Sequence, residues 1–526
     1  MSTESTIIEE SQWIQTVEKY ITDEEHRLSQ LKSTIDGLKQ YNQLAVNDSD
    51  AYLSHPINIY LLIKRLATEW PQVDKLLDQP THNKLRLRVN PIENNELTEA
   101  AKGLQNLVNT YQLDIQSLAN GSVRFWSVSD GRVMTIQPSD DTHRLTAADC
   151  YLIGKQTFIA GDYQNAIQWF NETNKQIYNV NIMSDKLFES KVAKYMALAY
   201  YRLGDYNQSV HYMNKSNELV DYPSDTDILF NQLFVDLIVN NKSTANSLSN
   251  KTLTNQLSET RQQHYNQLDV QSQQLCRGLV VDNKHMNRTV RESRLTCRYL
   301  DTTNRPLLRL TRVKVEQLYD KPGIVMFHDI LGPIELAVLK LLARAQLSRL
   351  MIANNNRKTG IVSDIRLAQG CWISDRIHPI VERISRRIGA ITGVNINGSE
   401  QFNVIKYGVG GYYRNHYDVN VVKPYYSEQY GLPVNRMATW ISYLSDVQAG
   451  GATVFPRLNL RVEPKQGSAL FWYNLRSSGL VDWDMLHNGC PVLVGPAKWI
   501  ATKWINYTEQ VFHKPCLLDK QSFNLI

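Results

Sequence analysis

No stretch of the 526 residues approaches the ~18 consecutive apolar positions that a membrane-spanning helix needs, so helical membrane proteins are excluded. No dense block of Lys or Arg is present either: 57 basic side chains stand against 52 acidic ones, and the net charge of +5 is spread along the chain. A nucleic-acid interface would concentrate that charge on one segment. The six cysteines never fall in a C-x-x-C pair, which removes the usual zinc-ribbon and zinc-finger frameworks. The opening MSTESTIIEE is acidic and polar and lacks the basic-then-apolar order of a secretory leader. The expectation is a cytosolic chain, or one whose leader lies outside this sequence. One small fold is excluded too, because at roughly 150 residues per domain the length suggests three or four domains.

What is present is ordinary for a soluble protein, with 42% hydrophobic and 21% charged residues. Cys276 and Cys297 lie close in sequence, as do Cys490 and Cys516, and both pairs could close short loops in an oxidising compartment. Ten N-x-S/T triplets lean the same way, weakly, in so Asn-rich a chain.

The first segment carries a heptad. Ile14, Val17, Ile21, Leu28, Leu31, Ile35 and Leu38 alternate at steps of three and four, with Glu24 the polar intruder. Such a stripe buries a seam between two helices, as in a short coiled coil, or packs inside its own domain. A second helix is predicted over Ile59–Trp70, stopped by Pro71, with a loop over Thr81–Asn95. Further on, Gly161-Asp162-Tyr163-Gln164-Asn165-Ala166-Ile167 recurs 43 residues later as Gly204-Asp205-Tyr206-Asn207-Gln208-Ser209-Val210. Each copy ends one apolar helix and begins another, which resembles tetratricopeptide helix pairs. Tyr195 and Tyr201, six apart with Leu198 between, are expected on one stripe of the helix between the copies, and tyrosine rings suit polyproline II ligands with their flat apolar faces. The bland reading of such tyrosines is packing.

Residues 241–284 are polar and rich in Ser, Asn, Gln and Thr, as in a linker. After Arg305 the pattern changes to a helix over Ile334–Leu347. Strand-like runs follow at Phe402–Tyr407, Met437–Leu444, Ala469–Tyr473, Pro491–Val494 and Trp499–Ile505, separated by Gly-rich turns as in a jelly roll.

The sharpest chemistry lies there. His416-Tyr417-Asp418 puts an imidazole and a carboxylate on one face of a strand, and His487 follows 71 positions after the first His. Two imidazoles and one carboxylate can hold one face of a metal and leave positions open, the ligand set of non-haem Fe(II) oxygenases. His328 and His378 sit beside apolar runs and read as structural. Lys498, eleven residues past His487, could supply a buried cation for the far carboxylate of a 2-oxo dicarboxylic acid. Lys503 is the nearby alternative, but strand alternation puts 498, 500, 502 and 504 on one face and 499, 501 and 503 on the other.

The segment Tyr407-Gly408-Val409-Gly410-Gly411-Tyr412-Tyr413-Arg414-Asn415-His416-Tyr417-Asp418 is similar to the collagen prolyl 4-hydroxylase α-subunit family. So are Asn435-Arg436-Met437-Ala438-Thr439-Trp440, Gly450-Gly451-Ala452-Thr453-Val454-Phe455-Pro456, Phe471-Trp472-Tyr473-Asn474-Leu475 and Cys490-Pro491-Val492-Leu493-Val494-Gly495. The resemblance covers nearly the whole chain. It implies a helical dimerisation domain over 1–140, a tetratricopeptide-like peptide-binding domain over 141–240, a linker over 241–304 and a double-stranded β-helix (jelly-roll) dioxygenase domain over 305–526.

By resemblance, His416, Asp418 and His487 are the Fe(II) ligands, and Lys498 pairs with the distal carboxylate of 2-oxoglutarate beside Tyr407 and Thr453. Tyr413, Arg436 and Trp504 line the peptidyl-proline site, and Tyr195, Tyr201 and Asn231 line the peptide groove. Cys276 with Cys297, and Cys490 with Cys516, match the family's disulfides. The implied reaction hydroxylates C4 of proline in X-Pro-Gly peptides with O2 and 2-oxoglutarate, giving succinate and CO2, with L-ascorbate as reductant. The implied setting is the endoplasmic reticulum lumen, in a tetramer of two α chains with protein disulfide isomerase. Five positions depart from the family pattern: the extra residue before Lys498, Asn506 in place of a His, Leu198 in place of a Tyr, and Asp227 and Phe234 where a basic residue and a Tyr are expected. The competing readings are a 2-oxoglutarate oxygenase acting on another proline-containing secretory protein and a non-catalytic binder of proline-rich peptides.

Overall fold

The computed structural model describes residues 3–77, 94–128, 130–137, 144–179, 186–219, 267–279, 292–303, 305–350, 352–353, 360–361, 365–419, 425–426, 433–510 and 513–514. The chain divides into two compact units, Met1–Lys102 and Gly103–Ile526.

The first unit is helical. The helix Thr3–Asn47 runs 45 residues, which at 1.5 Å per residue is about 68 Å. Leu38, near its end, is buried, whereas Ile14, Val17, Ile21 and Leu28 of the heptad stripe are each about half exposed. Pro71 does not stop the next helix. Pro56–Lys64 passes into a π-helical turn, Arg65–Glu69, and Trp70–Leu77 follows directly. The wider turn lets the proline fall in the first turn of the new segment, where its missing N–H breaks no bond. The predicted Thr81–Asn95 loop lies largely outside the described residues, and its last two positions begin the helix Asn94–Tyr111.

In the second unit a short helix, Ile115–Ala119, and a hairpin, Val123–Ser127 with Arg132–Ile136, precede two helix pairs. Ala147–Ile159 packs on Tyr163–Asn179, and Lys186–Leu203 on Tyr206–Glu218. The Gly-Asp repeat explains both turns. Gly161 and Gly204 sit at φ +85° and +81°, where a side chain would strain the backbone. The aspartates that follow cap the next helix: Asp162 accepts from Asn165 N–H and Asp205 from Gln208 N–H. Ala166, Phe170, Val192, Met196 and Ala199 fill the core between the pairs.

The C-terminal part is antiparallel β-sheet in two layers. The larger sheet orders its strands Cys297–Tyr299, Lys314–Tyr319, Ile324–His328, Ala469–Tyr473, Arg436–Tyr443, Lys498–Asn506, Phe402–Tyr407, Gln369–Ile373 and Ser348–Arg349. The smaller orders Leu460–Val462, Thr453–Phe455, His487–Gly489, Tyr412–His416 and Arg366–Leu367. Helices Pro333–Arg344 and Pro379–Thr392 cover one face of the larger sheet, with Leu339, Ile384, Trp440, Phe471, Trp499 and Ala501 in that core. Ile405, Tyr407, Tyr443, Phe455, Trp472 and Ile500 make the core on the other face. The strand Lys498–Asn506 is thus buried on both sides, and its alternation decides what each side chain meets.

The expected cysteine pairing is corrected. Cys276 is bonded to Cys490, with Cα atoms 5.6 Å apart, and not to Cys297, which is exposed and unpaired among the described residues. Cys516 lies outside the described residues. The reason is tertiary. Residues 267–276, expected to be linker, form helix docked on the sheet domain. There Asn415 Nδ2 donates to Asp269 (2.7 Å), Ser272 Oγ donates to Asn415 Oδ1 (2.7 Å), and an Arg461 N–H donates to the Leu275 carbonyl (2.8 Å). Docking brings Cys276 to the residue after the His487–Gly489 strand. Proteolysis of unreduced protein should yield one peptide pair joining Cys276 to Cys490; recovery of Cys276 joined to Cys297 would refute this connection.

Candidate active site

The strand Tyr412–His416 pairs antiparallel with His487–Gly489 so that His416 stands opposite His487, across an irregularity in register that starts after Tyr413. Asp418 follows two residues on. One ligand atom from each of His416, Asp418 and His487 lies within 4.8 Å of the others. His416 Nε2 is 3.7 Å from Asp418 Oδ1 and His487 Nε2 is 3.7 Å from Asp418 Oδ2. The opposite ring nitrogens face carbonyls: His416 Nδ1 lies 2.8 Å from Arg414 O and His487 Nδ1 3.0 Å from Met485 O. A carbonyl only accepts, so each Nδ1 carries a proton and the lone pair of a neutral ring is left on Nε2, toward the common centre.

Burial, and after it the neighbouring His487, push His416 well below its ordinary pKa, so this ring is neutral and free to ligate. For Asp418, burial opposes ionisation, but His487, His416, Arg436 and the Thr439 hydroxyl outweigh it and hold the carboxyl below its usual range. The carboxylate is also aimed. Thr439 Oγ1 donates to Asp418 Oδ2 (2.7 Å), Asn474 Nδ2 donates to Thr439 Oγ1 (2.8 Å), and Trp472 Nε1 donates to Asn474 Oδ1 (2.7 Å). The donor set of two imidazoles and one buried carboxylate, with both rings fixed from behind, fits a divalent iron.

Lys498 lies on the face of its strand that looks toward the smaller sheet and is 3% exposed. Its Nζ donates to Gly451 O (2.6 Å) and lies 5.7 and 5.6 Å from the ring centres of Tyr407 and Tyr443. Tyr443 in turn shares a hydrogen bond with Thr453 Oγ1 (2.9 Å). No carboxylate stands within ion-pair distance of Lys498 among the described residues, and burial pushes its pKa down to about 7. An uncompensated buried ammonium is costly, and a ligand carboxylate is what relieves it. Lys503 turns the other way, with its Nζ on the Asp375 carboxylate at 2.8 and 2.9 Å.

The three residues expected around proline gather beside the ligands. Tyr413 stacks on the His416 imidazole at 3.5 Å between ring centres. The Arg436 guanidinium lies 3.7 Å over the Trp504 ring, and its Nη1 donates to the Asp418 carbonyl (3.3 Å). Sequence reasoning missed the groups that hold them. Glu400 takes Arg436 through two bonds, Nε to Oε1 (2.6 Å) and Nη2 to Oε2 (2.9 Å). Arg366 lies 4.5 Å from the Tyr413 ring, and Trp372 packs 5.8 Å from Trp504. No spacing in the chain signals these, since Arg366 and Trp372 come from separate strands and Glu400 from the segment before Phe402–Tyr407. Asn506 donates to Gly398 O (3.1 Å).

The groove residues are not brought together. Tyr195 packs against Tyr151, Phe158 and Phe170 at 5.9, 5.5 and 5.8 Å. Tyr201 packs instead near Leu198, Tyr206 and Met213. Six residues at about 100° each leave two side chains roughly 120° apart around a helix, so one stripe cannot hold both. Asn231 lies outside the described residues.

Two family profiles match the chain: the prolyl 4-hydroxylase α-subunit N-terminal region over residues 1–124 and the 2OG-Fe(II) oxygenase superfamily over residues 402–506. Prolyl 4-hydroxylase subunit alpha-1 of Mus musculus is 32% identical over 524 residues, covering 97% of this chain and 93% of its own. The alpha-1 subunit of Gallus gallus is 33% identical over 519 residues, covering 96% and 95%. The Gallus gallus alpha-2 subunit is 32% identical over 531 residues, covering 97% and 93%. With this likeness running through both the helical region and the sheet domain that gathers His416, Asp418, His487 and Lys498, the chain belongs to the prolyl 4-hydroxylase α-subunit family, within the 2-oxoglutarate- and Fe(II)-dependent oxygenases.

Proposed function

We propose that this chain hydroxylates C4 of proline in X-Pro-Gly, collagen-like peptides, and that the observation carrying this reading is the metal-ligand cluster set in the same sheet pair as a buried, uncompensated lysine. His416 and His487 would hold Fe(II) through Nε2 and Asp418 through its carboxylate, with Thr439 fixing the carboxylate's direction. Lys498 would bind the distal carboxylate of 2-oxoglutarate, with Tyr407, Tyr443 and Thr453 closing the pocket around it. Tyr413, Arg436 and Trp504 would shape the proline site and keep water from it. When bound, the iron supplies the O2 chemistry that couples decarboxylation of 2-oxoglutarate to oxidation of a C–H bond. The protein's own share is placement: it fixes which carbon of the peptide lies beside the metal.

The wider assignment follows the relatives' names and the layout. Residues 1–140 would pair two α chains, a role that suits the exposed Ile14, Val17, Ile21 and Leu28. Residues 141–240 would bind peptide as tetratricopeptide-like helix pairs, 241–304 would link them to the rest with the helix at 267–276 docked on the sheet domain, and 305–526 would form the jelly-roll oxygenase. The Cys276–Cys490 disulfide supports an oxidising compartment, hence the endoplasmic reticulum lumen with protein disulfide isomerase as partner and ascorbate as reductant. Incubation of the full chain, co-produced with protein disulfide isomerase, with Fe(II), 2-oxoglutarate and a (Pro-Pro-Gly)-type peptide should add one oxygen to proline by mass spectrometry. A peptide of unchanged mass at full metal and cosubstrate loading would overturn the reading.

A further inference from the structure

The strand Lys498–Asn506 carries a second buried lysine, outside the site just described. Lys503 is 0% exposed and its ammonium lies 4.4 Å from the ring centre of Phe402. It spends its protons on two partners: the Asp375 carboxylate, at 2.8 and 2.9 Å, and the Glu400 carbonyl, at 3.0 Å. Asp375 also accepts from Ser385 Oγ (2.8 Å) at the helix Pro379–Thr392. An ion pair that only tied this helix to the sheet would need no bond to Glu400. That bond matters because of where Glu400 stands. Its N–H donates to the Trp504 carbonyl (2.8 Å), so the peptide groups on both sides of its Cα are pinned to adjacent residues of one strand, Lys503 and Trp504. Its carboxylate then grips Arg436, whose guanidinium lies 3.7 Å over the Trp504 ring.

We infer that Lys503 is a positioning residue for the substrate site: by holding the Glu400 carbonyl it sets the carboxylate fork that fixes Arg436 over Trp504. This rests on the reading that Arg436 and Trp504 contact the peptidyl proline. A shift of about 1 Å at the reacting centre can lower turnover on the order of 100-fold, so a remote buried contact of this kind can govern substrate use.

The test uses the full chain with Lys503→Met, and with Lys503→Met combined with Asp375→Leu. The second variant leaves no half-buried carboxylate without its partner, and replacing an ion pair by apolar side chains of similar size is often neutral for folding. Peptide KM, 2-oxoglutarate KM and 2-oxoglutarate consumed per hydroxyproline formed are measured for each. The expected result is a rise of roughly tenfold or more in peptide KM, with wasted 2-oxoglutarate, while the KM for 2-oxoglutarate stays as in the unaltered chain. A folded double variant with unaltered peptide KM, or one in which both KM values rise together, would overturn the inference. Failure of the unaltered chain to hydroxylate peptide would instead count against the proposed function itself.

Discussion

Replacing His487 with alanine should abolish succinate formation. The ring supplies one of three ligand atoms clustered within 4.8 Å, and no other His, Cys, Asp or Glu joins that group among the described residues. Loss of groups that merely support a ligand costs roughly 10–100-fold in metal affinity. Removing the ligand itself should therefore exceed that range, and Thr439→Val, which deletes the hydroxyl behind Asp418, should fall within it. Fe(II) titration and succinate release, measured with a thermal-unfolding control, separate the two. Normal turnover by His487→Ala would remove the metal assignment.

Lys498→Ala should raise the 2-oxoglutarate requirement steeply, and Lys503→Ala should leave that requirement alone. Leaving one partner of a buried charge pair unmatched typically costs ~3–5 kcal/mol, which is a factor of hundreds to thousands in KM. The pH dependence adds a sharper signature. With no carboxylate in ion-pair reach among the described residues, burial holds the amine's pKa down to about 7. A bound carboxylate favours the ammonium and raises that value. Above pH 7 the empty site is neutral, so binding must take up a proton, and affinity should fall by up to about tenfold per pH unit. Below pH 7 the amine is already charged and this dependence should vanish. In Lys498→Ala the slope above pH 7 should be lost along with the affinity. A 2-oxoglutarate KM that is flat from pH 7 to 9 in the unaltered chain and unchanged in Lys498→Ala would exclude Lys498 as the anchor.

The metal ligands were legible because their spacing is local: His416 ends its strand and Asp418 lies in the bend two residues on, too near in sequence for distant register to separate them. Strand alternation, equally local, separates Lys498 from Lys503, since each step along the strand reverses the side chain. The Gly-Asp turns were legible for a similar reason, because a left-handed glycine followed by a capping aspartate is a local device. What failed is what depends on register between distant segments. Cys276 finds a partner 214 residues away because a helical piece of the expected linker docks beside the His487 strand, and sequence proximity has no bearing on that. Arg366 and Thr439 reach the site from two different strands and Glu400 from the segment before a third, and no motif encodes their alignment. Tyr195 and Tyr201 looked like one stripe because steps of three approximate a helical turn, but the drift accumulates.

Asp418 presents its carboxylate to the metal centre and its backbone carbonyl to Arg436. On the proposed assignment, one residue would thus be shared between the metal centre and the proline site. A peptide that shifted Arg436 would pull on a ligand, and a ligand drawn toward its ion would pull on the arginine. Such coupling is reciprocal: whatever factor the peptide adds to metal affinity, the metal must add to peptide affinity. An enzyme wired this way has a physical means of sensing that its substrate is present before it commits a cosubstrate.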